Sequence, residues 1–256
     1  MQFNSHLRAL RKIPYLFSSL FLLLKFVGNK SFIVNIFAGA STELKTKFGT
    51  ITISTPLDAL ILKETVIDDC YHLSFLTDPH VIVDIGAAYG DFSWYAKKLY
   101  PSAKVIAYEP DKFHIPLLEK NIKPLGCVIR HEAIGSQGEI EMMIHSAHTQ
   151  SSAHLVKGVR PISTYKVASI TLDRALNEYD VIDLVKIDCE GAEKEIFDQA
   201  DPVVFSKIKC FSIEYHEFVV PGVLEHISNH LKKYGYTIEI KQNPFTNDFG
   251  FIYAKK

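Results

Sequence analysis

With 256 residues, 22% of them charged, and a formal net charge of −1, the chain can bury a full core without splitting its principal α/β domain. Lysine and arginine form no dense block, which argues against a polyanion-binding surface and makes nucleic acid a weak candidate substrate. Cys70, Cys127, Cys189 and Cys210 lie far apart, with no C-x-x-C pair or metal-ligand spacing, and read as reduced thiols of a cytoplasmic protein.

At the amino terminus Arg8, Arg11 and Lys12 precede the apolar stretch IPYLFSSLFLLL, and Lys25 and Lys30 separate it from a second stretch, SFIVNIFAGA. About a dozen apolar residues are too few to span a bilayer, which takes about 20. A helix packed on the domain is the first reading, a peripheral membrane-surface helix the second. A secretory signal is the third, because no small-residue cleavage site comes before Ala38 and Ala40. Residues 1–47 are thus set apart as an apolar helical appendage and 48–256 as the main domain. A small hairpin is expected around Phe48 to Ile53, and a helix from Asp58 to Ile67 that caps a ligand site.

The segment VIVDIGAAYGDF, residues 81 to 92, then reads as a buried strand, a glycine turn and the start of a helix running to Leu99. Asp84 stands near the strand's carboxyl end. Gly86 and Gly90 let backbone approach a ligand, because glycine lacks a Cβ and tolerates positive φ. A second strand, KVIAYEP, delivers Glu109 roughly twenty residues downstream, where a βαβ cofactor fold places its ribose-binding carboxylate. The turn G-A-A-Y-G lacks the G-x-G-x-x-G of dinucleotide enzymes, which favours S-adenosylmethionine over a pyrophosphate cofactor.

Further along, a helix is expected over Ile115 to Ile122, ended by Pro124 and Gly126, then a single strand CVIRHEAIG and another, EIEMMI. A polar loop from His145 to Thr164 is long enough for a lid. After YKVASI, Thr171 or Asp173 is expected to cap the short helix of TLDRAL. DLVKIDCEGAEKEIF repeats the strand-to-acidic-turn logic, and KCFSIEYHEF ends on an acid and a histidine. A helix from Val223 to Tyr234 and an antiparallel pair, YTIEIKQ and FGFIYAKK, close the chain. The alternation describes an α/β fold with a mostly parallel sheet and a C-terminal antiparallel β-hairpin.

Four segments carry a resemblance: LDALILKETVIDDCY, VIVDIGAAYGDFSWYA, VIAYEPD, and ITLDRAL followed by DLVKIDCEGAEKEIF. In this order they resemble the FkbM-type S-adenosylmethionine-dependent methyltransferases, and they cover most of residues 48 to 215. One departure is Ala88, where the family often carries asparagine. The resemblance implies a Rossmann-like class I methyltransferase fold with an N-terminal helical and hairpin extension. It also implies metal-independent methyl transfer to a hydroxyl of a small-molecule, sugar or glycan acceptor. The cofactor-binding positions it implies are Asp84, Gly86, Ala87, Tyr89, Gly90, Glu109, Pro110, Ala133, Ile134 and Asp188, with Glu109 on the ribose and Ala133 and Ile134 framing the adenine. Asp188 and Glu190 then fall beside the methyl group. The alternatives are an N- or RNA-directed methyltransferase and a non-catalytic nucleoside-binding regulator.

A neutral alcohol is a poor nucleophile, so methyl transfer from sulfonium profits from a base near the acceptor. Asp188, Glu190 and His216 are the catalytic candidates, with Asp188 favoured and His216 the alternative. Glu190 could equally serve the N-terminus of the following helix, and Glu214 could line the acceptor pocket or end a strand in solvent. His145, His148 and His154 fit neither a helical pair nor a zinc pattern, so no metal ligands are assigned. Among Tyr89, Phe92, Trp94 and Tyr95, Tyr89 is the one expected to reach the ligand and the others to fill the core.

Overall fold

Alternating strands and helices assemble around a seven-stranded sheet in the computed structural model of this chain, which describes residues 18–29, 31–144, 151–152, 162–243, 246 and 248–256. Residues 18–26 form helix α1, followed by α2 (Phe32–Phe37), the hairpin β1 (Thr42–Thr46) and β2 (Gly49–Ile53), and α3 (Pro56–Val66). Then come β3 (Val81–Ile85), α4 (Asp91–Leu99), β4 (Lys104–Tyr108), α5 (Ile115–Ile122), β5 (Val128–Arg130), β6 (Ala133–Ile134), β7 (Gly138–Ile144), β8 (Ser151–Ser152) and β9 (Ser163–Ile170). The last third holds α6 (Leu172–Ala175), β10 (Ile182–Ile187), α7 (Glu193–Gln199), α8 (Val204–Lys207), β11 (Ile208–His216), α9 (Val223–Lys233), β12 (Thr237–Gln242) and β13 (Phe249–Lys255).

The main sheet has the order β12-β13-β11-β10-β3-β4-β5. Its five strands from β11 to β5 are parallel, and β13 pairs antiparallel with both β11 and β12. The chain builds outward from β3 in one direction and, after the crossover, outward from β10 in the other. The carboxyl ends of β3 and β10 therefore flank the topological switch point, where open α/β sheets hold their ligands. Period-two alternation splits the apolar side chains between the two faces: Ile82 and Leu184 join the core under α1 to α5, whereas Val83, Ile85, Val185 and Ile187 join the core under α6 to α9.

Three features differ from the sequence expectation. CVIRHEAIG is not one strand, because the chain leaves the main sheet at His131 and Glu132. β6 pairs instead with β9 in a separate four-stranded sheet of order β6-β9-β7-β8. Helix α3 starts at Pro56 rather than Asp58 because Thr55 and Asp58 form a capping box, with Thr55 Oγ1 accepting from the Asp58 amide at 3.1 Å. Thr171 stands at the N-cap of α6 as expected, but its side chain makes no capping hydrogen bond, and Asp173 accepts from the Asp201 amide at 3.0 Å instead.

At the amino-terminal end, α1 buries Leu23 against the core, and Val27 just after it is buried too and bridges to Thr46, while Leu20, Phe21 and Leu22 stay exposed. Among the described residues no helix is long and apolar enough to cross a membrane. The hairpin β1–β2 straddles the boundary placed between residues 47 and 48, and its Leu44, Ile51 and Ile53 share one core with Ile82, Phe92 and Trp94. Arg8, Arg11 and Lys12 lie outside the described residues, as do His145, His148 and His154.

Candidate active site

The turn after β3 is shaped by its glycines in two different ways. Gly86 has φ +77°, and a Cβ there would sit 1.8 Å from the carbonyl oxygen of Asp188, so only glycine lets the ends of β3 and β10 come this close. Gly90 has φ +90°, and a Cβ there would meet Leu118 and Ile122 of α5 at 2.9 Å. It serves helix packing and does not line the cavity. Between them Ala88 adopts φ +47°, a left-handed conformation costly for alanine. That conformation aims its amide at Glu109, whose Oε2 accepts the bond at 2.7 Å while Oε1 accepts from the Asp111 amide at 2.7 Å. The Glu109 carboxylate is thus fixed by two backbone donors at the end of β4.

A cavity of about 560 Å³ opens above these strand ends, within the range of small-molecule sites. Gly86, Tyr89, Glu109 and Pro110 line it from the β3 and β4 side, and Ala133 and Ile134 line it from the second sheet. Asp188 and Glu190 line it from the end of β10. Four residues of the expected set stand elsewhere. Ala87 and Gly90 are in the turn but not on the wall, Asp84 is completely buried beneath it, and His216 lies behind Asp188 and Glu190. Tyr89 is also nearly buried, with its hydroxyl donating to the Asp58 carbonyl at 2.7 Å, which ties the turn to α3.

Asp84 owes its burial to Lys186, its partner across the β3–β10 register. Lys186 Nζ lies 3.1 Å from Asp84 Oδ1 and donates to the Gly86 carbonyl at 2.6 Å, and Ser93 donates to Asp84 Oδ2 at 2.7 Å. Burial opposes the charge on Lys186, but Asp84, then Asp188 and Asp91, outweigh it and hold the ammonium above the usual lysine range. Tyr71, on the segment after α3, donates to Asp188 Oδ2 at 2.8 Å and reaches Glu214 Oε2 at 3.2 Å. Burial, followed by the charges of Asp188 and Glu214, keeps this phenol protonated. Burial and Asp188 likewise push the Glu214 carboxyl well above its ordinary value.

Beside this group, Glu193 at the start of α7 is fully buried and its Oε1 accepts from the amides of Cys189 and Gly191 and meets His216 Nδ1 at 2.8 Å. Burial disfavours the His216 cation, yet Glu193, then Glu190 and Asp188, raise its pKa well above the normal histidine value. Glu190 adopts φ +51°, and partial desolvation in the cavity, with the charges of Asp188 and Glu193, raises its carboxyl pKa against the pull of His216.

The sequence profile of the methyltransferase FkbM domain matches residues 84–238, more than half of the chain. The chain belongs to the FkbM methyltransferase family. Methyltransferase sdnD of Sordaria araneosa is 25% identical over 232 residues, covering 77% of this chain and 89% of that protein. Methyltransferase 1 of Beauveria bassiana (strain ARSEF 2860) is 35% identical over 63 residues, 25% of each chain. The crystal structure of methyltransferase FkbM from Methylobacillus flagellatus KT superposes with a TM-score of 0.51 at 15% identity, over 75% of this chain and 47% of that one. The strand order of this FkbM methyltransferase, with its antiparallel strands at the C-terminal edge, is that of the class I methyltransferase fold.

S-adenosylmethionine is the methyl donor of this FkbM methyltransferase. The cavity suits it, with a fixed carboxylate at the β4 end, an apolar wall at Ala133 and Ile134, and a turn at Gly86 that admits no side chain. Lys186 and Tyr71 are the site residues that sequence reasoning passed over. Lys186 carried a signal, a charge inside the otherwise apolar run IDLVKI, whereas nothing near Tyr71 in the sequence points 117 positions ahead to Asp188.

Proposed function

We propose that this methyltransferase acts on a hydroxyl oxygen of a small sugar, glycan terminus or natural-product-like acceptor. The observation that carries the reading is Asp188. Its carboxylate lines the cavity at the end of β10, held by the Tyr71 hydroxyl, in position to orient an acceptor hydroxyl and take its proton. Glu109 holds the ribose hydroxyls, Ala133 and Ile134 frame the adenine, and the turn at Gly86 and Ala88 faces the amino-acid end. S-adenosylmethionine supplies an electrophilic methyl on sulfonium. The protein supplies alignment of acceptor oxygen, methyl and sulfur, and a cavity that restricts water.

His216 is a poorer candidate for the base than its sequence position suggests: it stands off the cavity wall, and the carboxylates around it favour its protonated form, which has no lone pair to offer. Four free cysteines suit a reducing, cytoplasmic setting. Cavity size favours a small acceptor over a polymer, and the net charge of −1 gives no attraction to RNA.

The test is release of S-adenosylhomocysteine over a panel of hydroxylated acceptors, amines and RNA, repeated with Asp188→Asn. Turnover on a hydroxylated acceptor should fall roughly 100-fold in the variant while S-adenosylmethionine affinity changes little, the scale of losing a general base. Turnover confined to amines or RNA, or an Asp188→Asn enzyme with wild-type kcat, would overturn the reading.

A further inference from the structure

We infer that Asp188, Glu190 and His216 form a divalent-cation site at the acceptor end of the cavity. One ligand atom from each of the three lies within 4.8 Å of the others. More telling is how His216 is held. Its side chain is 5% exposed, and Glu193, itself fixed by two backbone amides, binds Nδ1 at 2.8 Å. This is the arrangement in which a buried carboxylate orients an imidazole and raises the basicity of its other nitrogen toward a metal.

The other nitrogen, Nε2, makes no hydrogen bond among the described residues. It points between Asp188 Oδ1 at 3.9 Å and Glu190 Oε2 at 3.7 Å, too far for direct hydrogen bonds. Those separations suit an ion in between. Ligand atoms roughly 2.0 to 2.2 Å from a cation stand roughly 3.3 to 3.6 Å apart at the tetrahedral angle, so His216 is a few tenths of an ångström from that spacing to either acid, while the group as a whole, spread within 4.8 Å, closes by about an ångström as the half-exposed Glu190 side chain moves in. A mixed set of two carboxylates and one imidazole suits Mn²⁺, Fe²⁺ or Zn²⁺ better than Ca²⁺.

The remaining carboxylate oxygen of Asp188, Oδ2, accepts from the Tyr71 hydroxyl and keeps a second lone pair for a proton from the cavity. Asp188 and Glu190 both line the cavity, so a bound cation has an open side toward the acceptor. Its use in catalysis rests on the proposed hydroxyl acceptor. The acceptor oxygen would coordinate the cation, which lowers the pKa of its O–H. The proton passes to Asp188 Oδ2 as the oxygen lone pair forms the O–CH₃ bond, and the S–CH₃ bond breaks with its electron pair left on sulfur. Alcohol, carboxylate and sulfonium become ether, carboxylic acid and thioether.

The experiment is a titration of the full-length, chelator-treated protein with Mn²⁺, followed by electron paramagnetic resonance, with no acceptor present. One Mn²⁺ per chain should bind, and His216→Gln and Glu190→Gln should each weaken it by at least about tenfold. Calorimetry should show S-adenosylmethionine affinity unchanged in His216→Gln. Should that variant fail to fold, Glu190→Gln carries the test, since the Glu190 side chain is half exposed. Absence of binding up to about 1 mM Mn²⁺, or binding that both variants leave intact, overturns the site. Because no acceptor is needed, this failure is distinct from failure of the hydroxyl reading.

Discussion

Replacing Lys186 by methionine should expose how the cofactor turn is held. Lys186 is 3% exposed and Asp84 is 0% exposed, so deletion of the cation leaves a carboxylate in the core with no countercharge and only Ser93 as donor. Breaking a buried pair in this way costs about 3 to 5 kcal/mol. That is a large part of the roughly 5 to 15 kcal/mol that stabilises a domain, and would lower Tm by on the order of 10 °C. The same change frees the Gly86 carbonyl, which now accepts from Lys186 at 2.6 Å, so S-adenosylmethionine affinity should fall with stability. Asp84→Asn alone should also destabilise, because it strands the ammonium. The double variant Asp84→Asn/Lys186→Met removes both charges and should be less destabilised than the sum of the single changes by about 1 to 3 kcal/mol. Urea unfolding of the four proteins, followed by circular dichroism, measures this coupling. Additivity within about 0.5 kcal/mol would show that the pair does not hold the β3–β10 junction.

Glu109→Ala should weaken S-adenosylmethionine binding by ten-fold to more than a hundred-fold, since a charged acceptor contributes about 1.5 to 3 kcal/mol, and calorimetry on the folded variant reads it directly. An unchanged Kd would take Glu109 out of the site. Asp91, buried at the start of α4 with Thr65 donating to it at 2.5 Å, has its pKa pushed by burial from 3.8 up to about 6. A raised carboxyl favours folding while it keeps its proton, so stability is lost as pH climbs from about 4 to 6 and stays lost at higher pH. Asp91→Asn, whose amide oxygen can still accept from Thr65, should abolish that loss. Its unfolding free energy relative to wild type should improve by about 1 to 3 kcal/mol between pH 4 and 7, and a pH-independent difference would refute the burial argument.

What the sequence disclosed depends on how local the signals are. The apolar runs VIVDI, KVIAY and IDLVKI could only be buried central strands, and α5 runs from Ile115 to Ile122 as its pattern and the following Pro124 require. Pairing partners are another matter. CVIRHEAIG has the hydrophobicity of one strand, and only the competition between two sheet edges divides it at His131 and Glu132. Asp84 reads as a ligand-facing acid because it sits near a strand end. Strand alternation, however, turns it toward α4 and into register with a lysine 102 positions away. His216 fails as a wall residue for a similar reason: Glu193, four residues after Cys189 on a different element, draws its ring behind the acids. These are long-range electrostatic pairings, and periodicity carries no record of them.

The strand order separates two tasks that share one cavity. Glu109 ends β4, on one side of β3, and is fixed by the amides of Ala88 and Asp111. Asp188, Glu190, Glu214 and His216 end β10 and β11, on the other side of β3. Between them lies Lys186, a single cation that neutralises Asp84 and stands 3.9 Å from Asp188. Changes on the β4 side should therefore appear in donor affinity and changes on the β10 and β11 side in turnover, whereas Lys186 alone should move both, because it grips the Gly86 carbonyl on one side and faces Asp188 on the other. A Glu109 variant that lost turnover at saturating S-adenosylmethionine, or an Asp188 variant that lost donor affinity with kcat intact, would contradict this division at the switch point.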